Sequence, residues 1–385
     1  MATINGRPTQ QQLAITVQPV LGTAVAPVIL VPFIPGTLNA TVTVERVRDD
    51  GRRGKTSAVY GIVAGGTELV NISFEAYVYK GADNNSDTDE LSHIGYFLAN
   101  IMECDETDLN NVATNINEHR LIVGTKKNYL TVEIDYGLAA AKGRRYINCR
   151  VTDLEVTWSA AEGALKYSVT MMGVIDAAAT ELVTVVALTD KTAGRLFPSS
   201  IGVSTVNGNG TSTGAHQPSN STAAEKFEPT DSFGRLLSGN WSLSRQNPQP
   251  WYSLDNTVSP VDIYFGELQV TTEMKLVYND DADLAAWRAE SQGICAVSFF
   301  STEDEDTFGI GGAKVDLGDS APISEDGGMS VLTITGESIH TTDVGPFTSK
   351  VGAEAATAQN GPVQVQIIQT GTDAHSTGRP SYTGA

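Results

Sequence analysis

The sequence predicts a mainly β protein, a sandwich or barrel with short flanking helices. Two observations carry that expectation. Strict alternation of apolar and polar residues, the period of a half-buried strand, recurs along most of the chain. Helical spacing emerges in only two places. With 41% hydrophobic residues the chain can fill a core, and 385 residues suit two or three domain-sized units.

The strands follow in order. Val70, Ile72, Phe74, Ala76 and Val78 alternate with Asn71, Ser73, Glu75 and Tyr77. Leu130, Val132, Ile134 and Tyr136 alternate with Thr131, Glu133 and Asp135. Leu154, Val156 and Trp158 keep the same phase, as do Leu165, Tyr167, Val169 and Met171. In the second half Leu268, Val270, Thr272, Met274 and Leu276 share a face opposite Thr271 and Glu273. Val363, Val365 and Ile367 repeat the pattern. Strands of this kind set one face on a core and the other on something wetter, as in antiparallel sandwiches and barrels.

Both helical segments begin with acidic caps. Ser86-Asp87-Thr88-Asp89-Glu90 precedes Leu91, Ile94, Leu98 and Ile101 at helical spacing. Asn279-Asp280-Asp281 precedes Leu284 and Trp287, with Gly293 placed to end the helix. Each helix follows a strong alternating strand, Leu69 to Val78 and Leu268 to Tyr278, so the chain is expected to hold two related units, 38–190 and 234–372. Between them, 191–233 includes the Gly-, Ser-, Thr- and Asn-rich stretch from Gly202 to Asp231 and reads as a linker or surface loop. Residues 1–37 read as an extended N-terminal arm and 373–385 as a flexible tail, both suited to contacts with neighbouring subunits.

Composition excludes several functions. Forty-five acidic against 25 basic residues give a net charge of −20, which suits a general binder of nucleic-acid phosphates poorly. The longest apolar stretch, Val20 to Ile34, is broken by Pro27 and Pro32 and is shorter than the roughly 20 residues a membrane helix needs. The start, Met1-Ala2-Thr3-Ile4, lacks the basic and apolar regions of a signal peptide. Cys104, Cys149 and Cys295 form no C-x-x-C pair and read as reduced, buried small hydrophobes.

No catalytic constellation emerges. Gly210-Thr211-Ser212-Thr213-Gly214 matches a nucleophile-elbow pattern, but low-complexity flanks replace the required strand and helix. His93, His119, His216, His340 and His375 are dispersed, without metal-ligand spacing. The acidic run Glu303-Asp304-Glu305-Asp306 lacks the glycine-centred pattern of a calcium loop. Gly309-Ile310-Gly311-Gly312 has no helix pattern after it, so a dinucleotide loop is not supported. No cofactor is expected. The basic residues cluster at Arg46, Arg48, Arg52, Arg53 and Lys55, and again at Lys142, Arg144 and Arg145. On so acidic a chain the former reads as a docking patch for a neighbouring subunit's acidic surface.

The order of segments is similar to that of a known family. Glu45-Arg46-Val47-Arg48-Asp49-Asp50-Gly51, Val59-Tyr60-Gly61-Ile62-Val63 and Leu69-Val70-Asn71-Ile72-Ser73-Phe74-Glu75 lead into Leu91-Ser92-His93-Ile94-Gly95-Tyr96-Phe97-Leu98. Leu130-Thr131-Val132-Glu133 and the stretch Ile147 to Val156 follow, and Val261 to Tyr278 runs into the second acidic-capped helix. Over 38–372 the chain resembles the major tail tube proteins of long-tailed, non-contractile (siphovirus-type) bacteriophages. The resemblance implies a tail-tube β-sandwich or barrel with flanking helices, here as two tandem tube-fold units. It implies rings of six such units stacked into a hollow tube, with an electronegative interior through which DNA passes during ejection without being held. It also implies tape-measure, tail-terminator and tail-tip partners, location in the virion tail, and assembly in the host cytoplasm. Two units per chain favour a homotrimeric ring over a homohexameric one. Asn71, Ser73, Glu75, Thr131, Glu133, Asp135, Thr271 and Glu273 are then candidates for the channel lining or the ring contact. Two rivals stand beside this reading. One is a carbohydrate-binding or adhesion module of a tail tip or spike, using Pro250-Trp251-Tyr252; the other is a hydrolase around Ser212.

Overall fold

The computed structural model describes residues 11–49, 61–79, 93–111, 116–136, 143–176, 202–207, 236–253, 259–278, 292–300, 307–318, 321–342, 346–347 and 360–370. They form a mainly β protein. In chain order come β1 (Gln12–Gln18), β2 (Ile29–Val31), β3 (Asn39–Asp49), β4 (Gly61–Tyr77), α1 (His93–Ile101), β5 (Asp105–Asn111), β6 (Ile116–Ile122), β7 (Tyr129–Asp135), β8 (Gly143–Ser159) and β9 (Lys166–Ile175). Then follow β10 (Gly202–Asn207), β11 (Leu236–Arg245), β12 (Gln249–Trp251), β13 (Asp262–Tyr264), β14 (Leu268–Val277), β15 (Gln292–Phe300), β16 (Thr307–Leu317), β17 (Ile323–Asp326), β18 (Met329–Ser338) and β19 (Gln364–Thr370). All but the β12–β13 ribbon belong to one antiparallel sheet system.

One run of ladders organises the rest. Through antiparallel pairs the strands stand in the order β3-β4-β9-β8-β11-β14-β18-β17, an eight-strand wall. Each half supplies four strands, and in each half they stand first, second, fourth, third in chain order. The β8–β11 ladder, Ser159↔Ser238 through Asp153↔Ser244, joins the halves edge to edge. Among the described residues, β3 ladders only to β4 and β17 only to β18, so the wall has a strand edge at each end.

Alternation decides the two faces. Val70, Ile72, Phe74, Val169, Met171, Leu154, Val156, Trp241, Leu243, Val270, Met274 and Ile334 are buried, while the residues between them stay partly exposed. Over the first half lies α1, whose Phe97 meets Phe74 edge-on at 5.4 Å and Tyr167 at 6.1 Å. Over the joint and the second half lies β15: Phe299 packs on Trp158 of β8 at 5.6 Å, and the Cys295 sulfur is 3.8 Å from that of Met274 on β14. The wall is thus one layer of a two-layer core, the second being α1 and the β15–β16 strands.

Several segments depart from the sequence expectation. The expected arm 1–37 carries β1, which pairs with β7 from Gln12↔Asp135 to Gln18↔Tyr129 and buries Leu13, Ala14 and Ile15 completely. Its end is latched to β8: Gln18 Nε2 donates to Asn148 Oδ1 at 2.6 Å, and Asn148 N donates to Gln18 Oε1 at 2.8 Å. Asn148 has φ 54° and lies where the β8–β9 register shifts, a backbone position that asparagine tolerates better than most residues. The expected linker 191–233 contains β10, paired with β15 from Gly202↔Phe299 to Asn207↔Ile294, because its Val203-Ser204-Thr205-Val206 core has strand propensity despite polar flanks. From Gly61 on, the strands expected around 59–63 and 69–78 are one, β4, whose irregular pairing with β3 skips Val63, Gly66 and Thr67; Val59 and Tyr60 lie outside the described residues. Gly293 lies within β15 opposite Val315 rather than at a helix end. The Gly309–Gly312 run lies in β16, where a side chain on Gly311 would collide with Ala296 across the strand. The caps 86–90, the second helix at 279–291, Ser212, the run 303–306 and the tail 373–385 lie outside the described residues.

Candidate functional site

The outer side of the wall is a single polar face, assembled from the in-between residues of its strands. On β4 these are Asn71, Ser73 and Glu75, paired across to Met172, Thr170 and Ser168 of β9. Thr170 and Ser168 stand beside Asp153 and Glu155 of β8, and these beside Ser244 and Ser242 of β11. Ser242 pairs with Thr271 and Asn240 with Glu273 on β14, and Thr271 and Glu273 pair with Glu337 and Thr335 on β18. Five of the sequence candidates, Asn71, Ser73, Glu75, Thr271 and Glu273, therefore share one surface although they are about 200 positions apart.

Side-chain bonds run along this face. Asn240 Nδ2 donates to Glu155 Oε1 at 2.8 Å, and its Oδ1 accepts from Glu273 N at 3.1 Å. Ser244 Oγ donates to Asp153 Oδ1 at 2.6 Å, and Gln269 Nε2 to Glu337 Oε1 at 3.2 Å. Against the carboxylates of Glu75, Asp153, Glu155, Glu273 and Glu337 stand Lys166 and Lys275, so the face is acidic. A hydrogen bond from Lys166 Nζ to Glu162, with the pair at 2.7 Å, raises the Lys166 pKa and keeps it protonated. Hydroxyls, amides and carboxylates predominate: a surface that water wets and phosphate avoids.

The other candidate trio, Thr131, Glu133 and Asp135, is divided. Thr131 and Glu133 are buried, at 0% and 1% exposure, and take no part in an exposed face. The cause is distant in sequence: β1 pairs along β7, and Val25 N donates to Thr131 Oγ1 at 3.3 Å as the chain folds over the strand. Glu133 is held by Arg145, Nε donating to Oε1 at 2.5 Å. Burial pushes its carboxyl above the usual range while the Arg145 bond and charge pull it back. Asp135, at the end of β7, is partly exposed. Of the docking candidates, Arg46 and Arg48 lie on β3, opposite Gly65 and Ile62; Arg52, Arg53 and Lys55 lie outside the described residues.

An ion cluster at the joint between the halves escaped sequence reading. Glu103 accepts from the fully buried Arg150, and Arg245 Nη2 lies 3.6 Å from its other oxygen. Arg245 Nε donates to the Ile101 carbonyl at 2.7 Å, Arg150 Nη1 to the Ile263 carbonyl at 2.6 Å, and the Arg150 guanidinium covers the Phe265 ring at 3.7 Å. Burial lowers the Arg245 pKa, opposed by the Glu103 charge. One signal was present: Arg245 falls in the core phase of Trp241 and Leu243, where an unpaired charge would not be tolerated.

Among the described residues no group of three or more His, Cys, Asp or Glu stands together as a metal site, and no helix is long and apolar enough to cross a membrane. Among the described residues the exposed aromatics are Trp251 and Tyr264, ring centres 6.3 Å apart at 75°. No family model and no curated protein matches the chain.

Proposed function

We propose that this chain is the wall subunit of a hollow tube, a tail tube protein of the siphovirus type, built of two tandem tube-fold units. The observation that carries the reading is the eight-strand wall itself: the same four-strand order appears twice, fused edge to edge, with one face on a core and the other acidic. A two-faced sheet with strand edges at both ends is an aggregation hazard unless it is covered or closed. Closure of three copies gives 3 × 8 = 24 strands, beyond the roughly 16–18 at which barrels already hold an aqueous channel.

In the tube, the face of Glu75, Asp153, Glu155, Glu273 and Glu337 lines the bore. Each ring carries 3 × −20 = −60. Carboxylates facing phosphates keep a passing nucleic acid from sticking, since non-specific affinity needs cations at the backbone. The protein works in the virion tail by self-assembly, with tape-measure, terminator and tip proteins as partners, and performs no chemistry. The adhesion alternative falls on Pro250-Trp251-Tyr252; there the Trp251 ring stands crosswise to that of Tyr264, at 75°, rather than coplanar with it as in a flat sugar platform.

Negative-stain microscopy of the purified full chain tests the proposal. Rings or hollow tubes of uniform diameter, threefold in class averages, are expected; a protein that stays monomeric at high concentration overturns it.

A further inference from the structure

The two halves of the wall can be placed on one another residue by residue. β4 and β14 end at Tyr77 and Val277, and their buried residues keep phase, Val70 with Val270, Phe74 with Met274 and Ala76 with Leu276. Their neighbours then correspond. Ile72 faces Ala40 where Thr272 faces Trp241, and Ser73 faces Asn39 where Glu273 faces Asn240. On the other side, Ala76 leads through Tyr167 to Val156, and Leu276 leads through Leu332 to Ile323. So β3 corresponds to β11 and β17 to β8. At the internal joint Trp241 stands opposite Val156 and Asn240 opposite Thr157.

We infer that β17 of one copy pairs antiparallel with β3 of the next in the register of the internal β8–β11 joint. Ile323 then stands opposite Ala40, and Ser324 opposite Asn39. This rests on the tube reading above and adds to it which edges meet and at which residues. Surface chemistry at the two edges supports it independently. Val44, Ile323 and Met329 are large apolar side chains left 43%, 47% and 47% exposed, the first two on these strands and the third at the start of β18, next to β17. Ile323 pairs with the fully buried Leu332, so it points to the core side, yet it is left about half exposed. Ala40 lies on the same side of β3 and already packs against the core. Asn39 corresponds to Asn240, the residue that bridges Glu155 and Glu273 at the internal joint. The buried cluster of Glu103, Arg150 and Arg245 has no counterpart here, because Arg245 corresponds to Val44. The joint between copies thus lacks the charge lock of the internal one, which suits subunits that fold first and associate afterwards.

A disulfide reads the register. Opposed residues on antiparallel strands have Cβ atoms about 4.5–5.5 Å apart, close to disulfide reach. The native thiols add little background: Cys104, Cys149 and Cys295 are buried, and burial pushes the Cys295 pKa up to about 12. In full-length chain, Ala40→Cys with Ile323→Cys is expected to give dimer and trimer bands on oxidation of the assembled protein. The single variants should give none. Ala40→Cys with Glu325→Cys, displaced by two residues on the same face, should cross-link at least tenfold less. Tubes that form without the cross-link, or equal cross-linking of the displaced pair, overturn the register while leaving the tube reading intact. Ile323→Lys is the second measurement. It should keep the wild-type circular dichroism spectrum but sediment as a monomer at concentrations where the wild type assembles; assembly equal to wild type overturns the joint.

Discussion

Gly239 shows how tightly the internal joint is built. It pairs with Trp158 across β8–β11, and a Cβ placed on it would lie 2.6 Å from Trp158 Cζ2 and collide with the Glu273 carbonyl. Neither neighbour can retreat, since Trp158 is buried against Phe299 and the carbonyl belongs to the adjacent strand. Gly239→Ala is expected to destabilise the protein by about 1–3 kcal/mol, as overpacked cores do. Gly163→Ala, with nothing within 4 Å, should change stability by no more than about 0.5 kcal/mol. Urea unfolding of the two variants measures the difference. At the same scale the Arg150–Glu103–Arg245 cluster ties β8 and β11 to the chain after α1, and removal of Glu103 would leave two buried guanidinium charges without their carboxylate.

At the scale of the element, β1 changes the meaning of the N-terminal segment. A strand that buries Leu13 and Ile15 completely and closes the edge of β7 is part of the fold rather than an arm reaching for a neighbour. Ile15→Ala should cost about 2–5 kcal/mol, the range for removing a buried aliphatic side chain. Val20→Ala, two residues past β1 and 58% exposed, should stay within about 0.5 kcal/mol. Thermal melts decide: equal, small effects would return the segment to the role of a loose arm. β8 is the other telling element. Its first half pairs with β7 and its second half with β11, and the register shifts near Asn148 and Thr152 let one strand serve both neighbours. Sequence alternation through Leu154, Val156 and Trp158 was plain, but a bulge depends on a distant partner, here Gln18.

For the whole molecule, the proposed assembly has to contend with charge. In the proposed tube, chains at −20 are packed together and the acidic face repels its counterpart across the bore. Screening weakens repulsion between exposed charges beyond about 8–10 Å at moderate salt. Self-assembly is therefore expected to strengthen as salt rises from about 20 to 200 mM, the opposite of phosphate binding, which weakens over that range. Sedimentation velocity at the two salt concentrations checks the sign; assembly that weakens with salt would mean that ion pairs, rather than apolar strand edges, hold copies together.

The mainly β character, the buried phase of β4, β8, β9 and β14, α1 and the burial of the cysteines were legible in the amino acids alone, because period and phase are set by residues two to four positions apart. The tertiary structure alone decided which polar faces stay wet. Thr131 and Glu133 alternate with apolar neighbours just as Ser73 and Glu75 do, yet β1 seals the first pair and leaves the second open. It likewise decided that residues 12–18 and 202–207 are strands and that the halves meet through β8 and β11. The reason is physical. Alternation states that a strand has two faces, whereas what covers each face depends on backbone pairing and packing with segments far away in the chain.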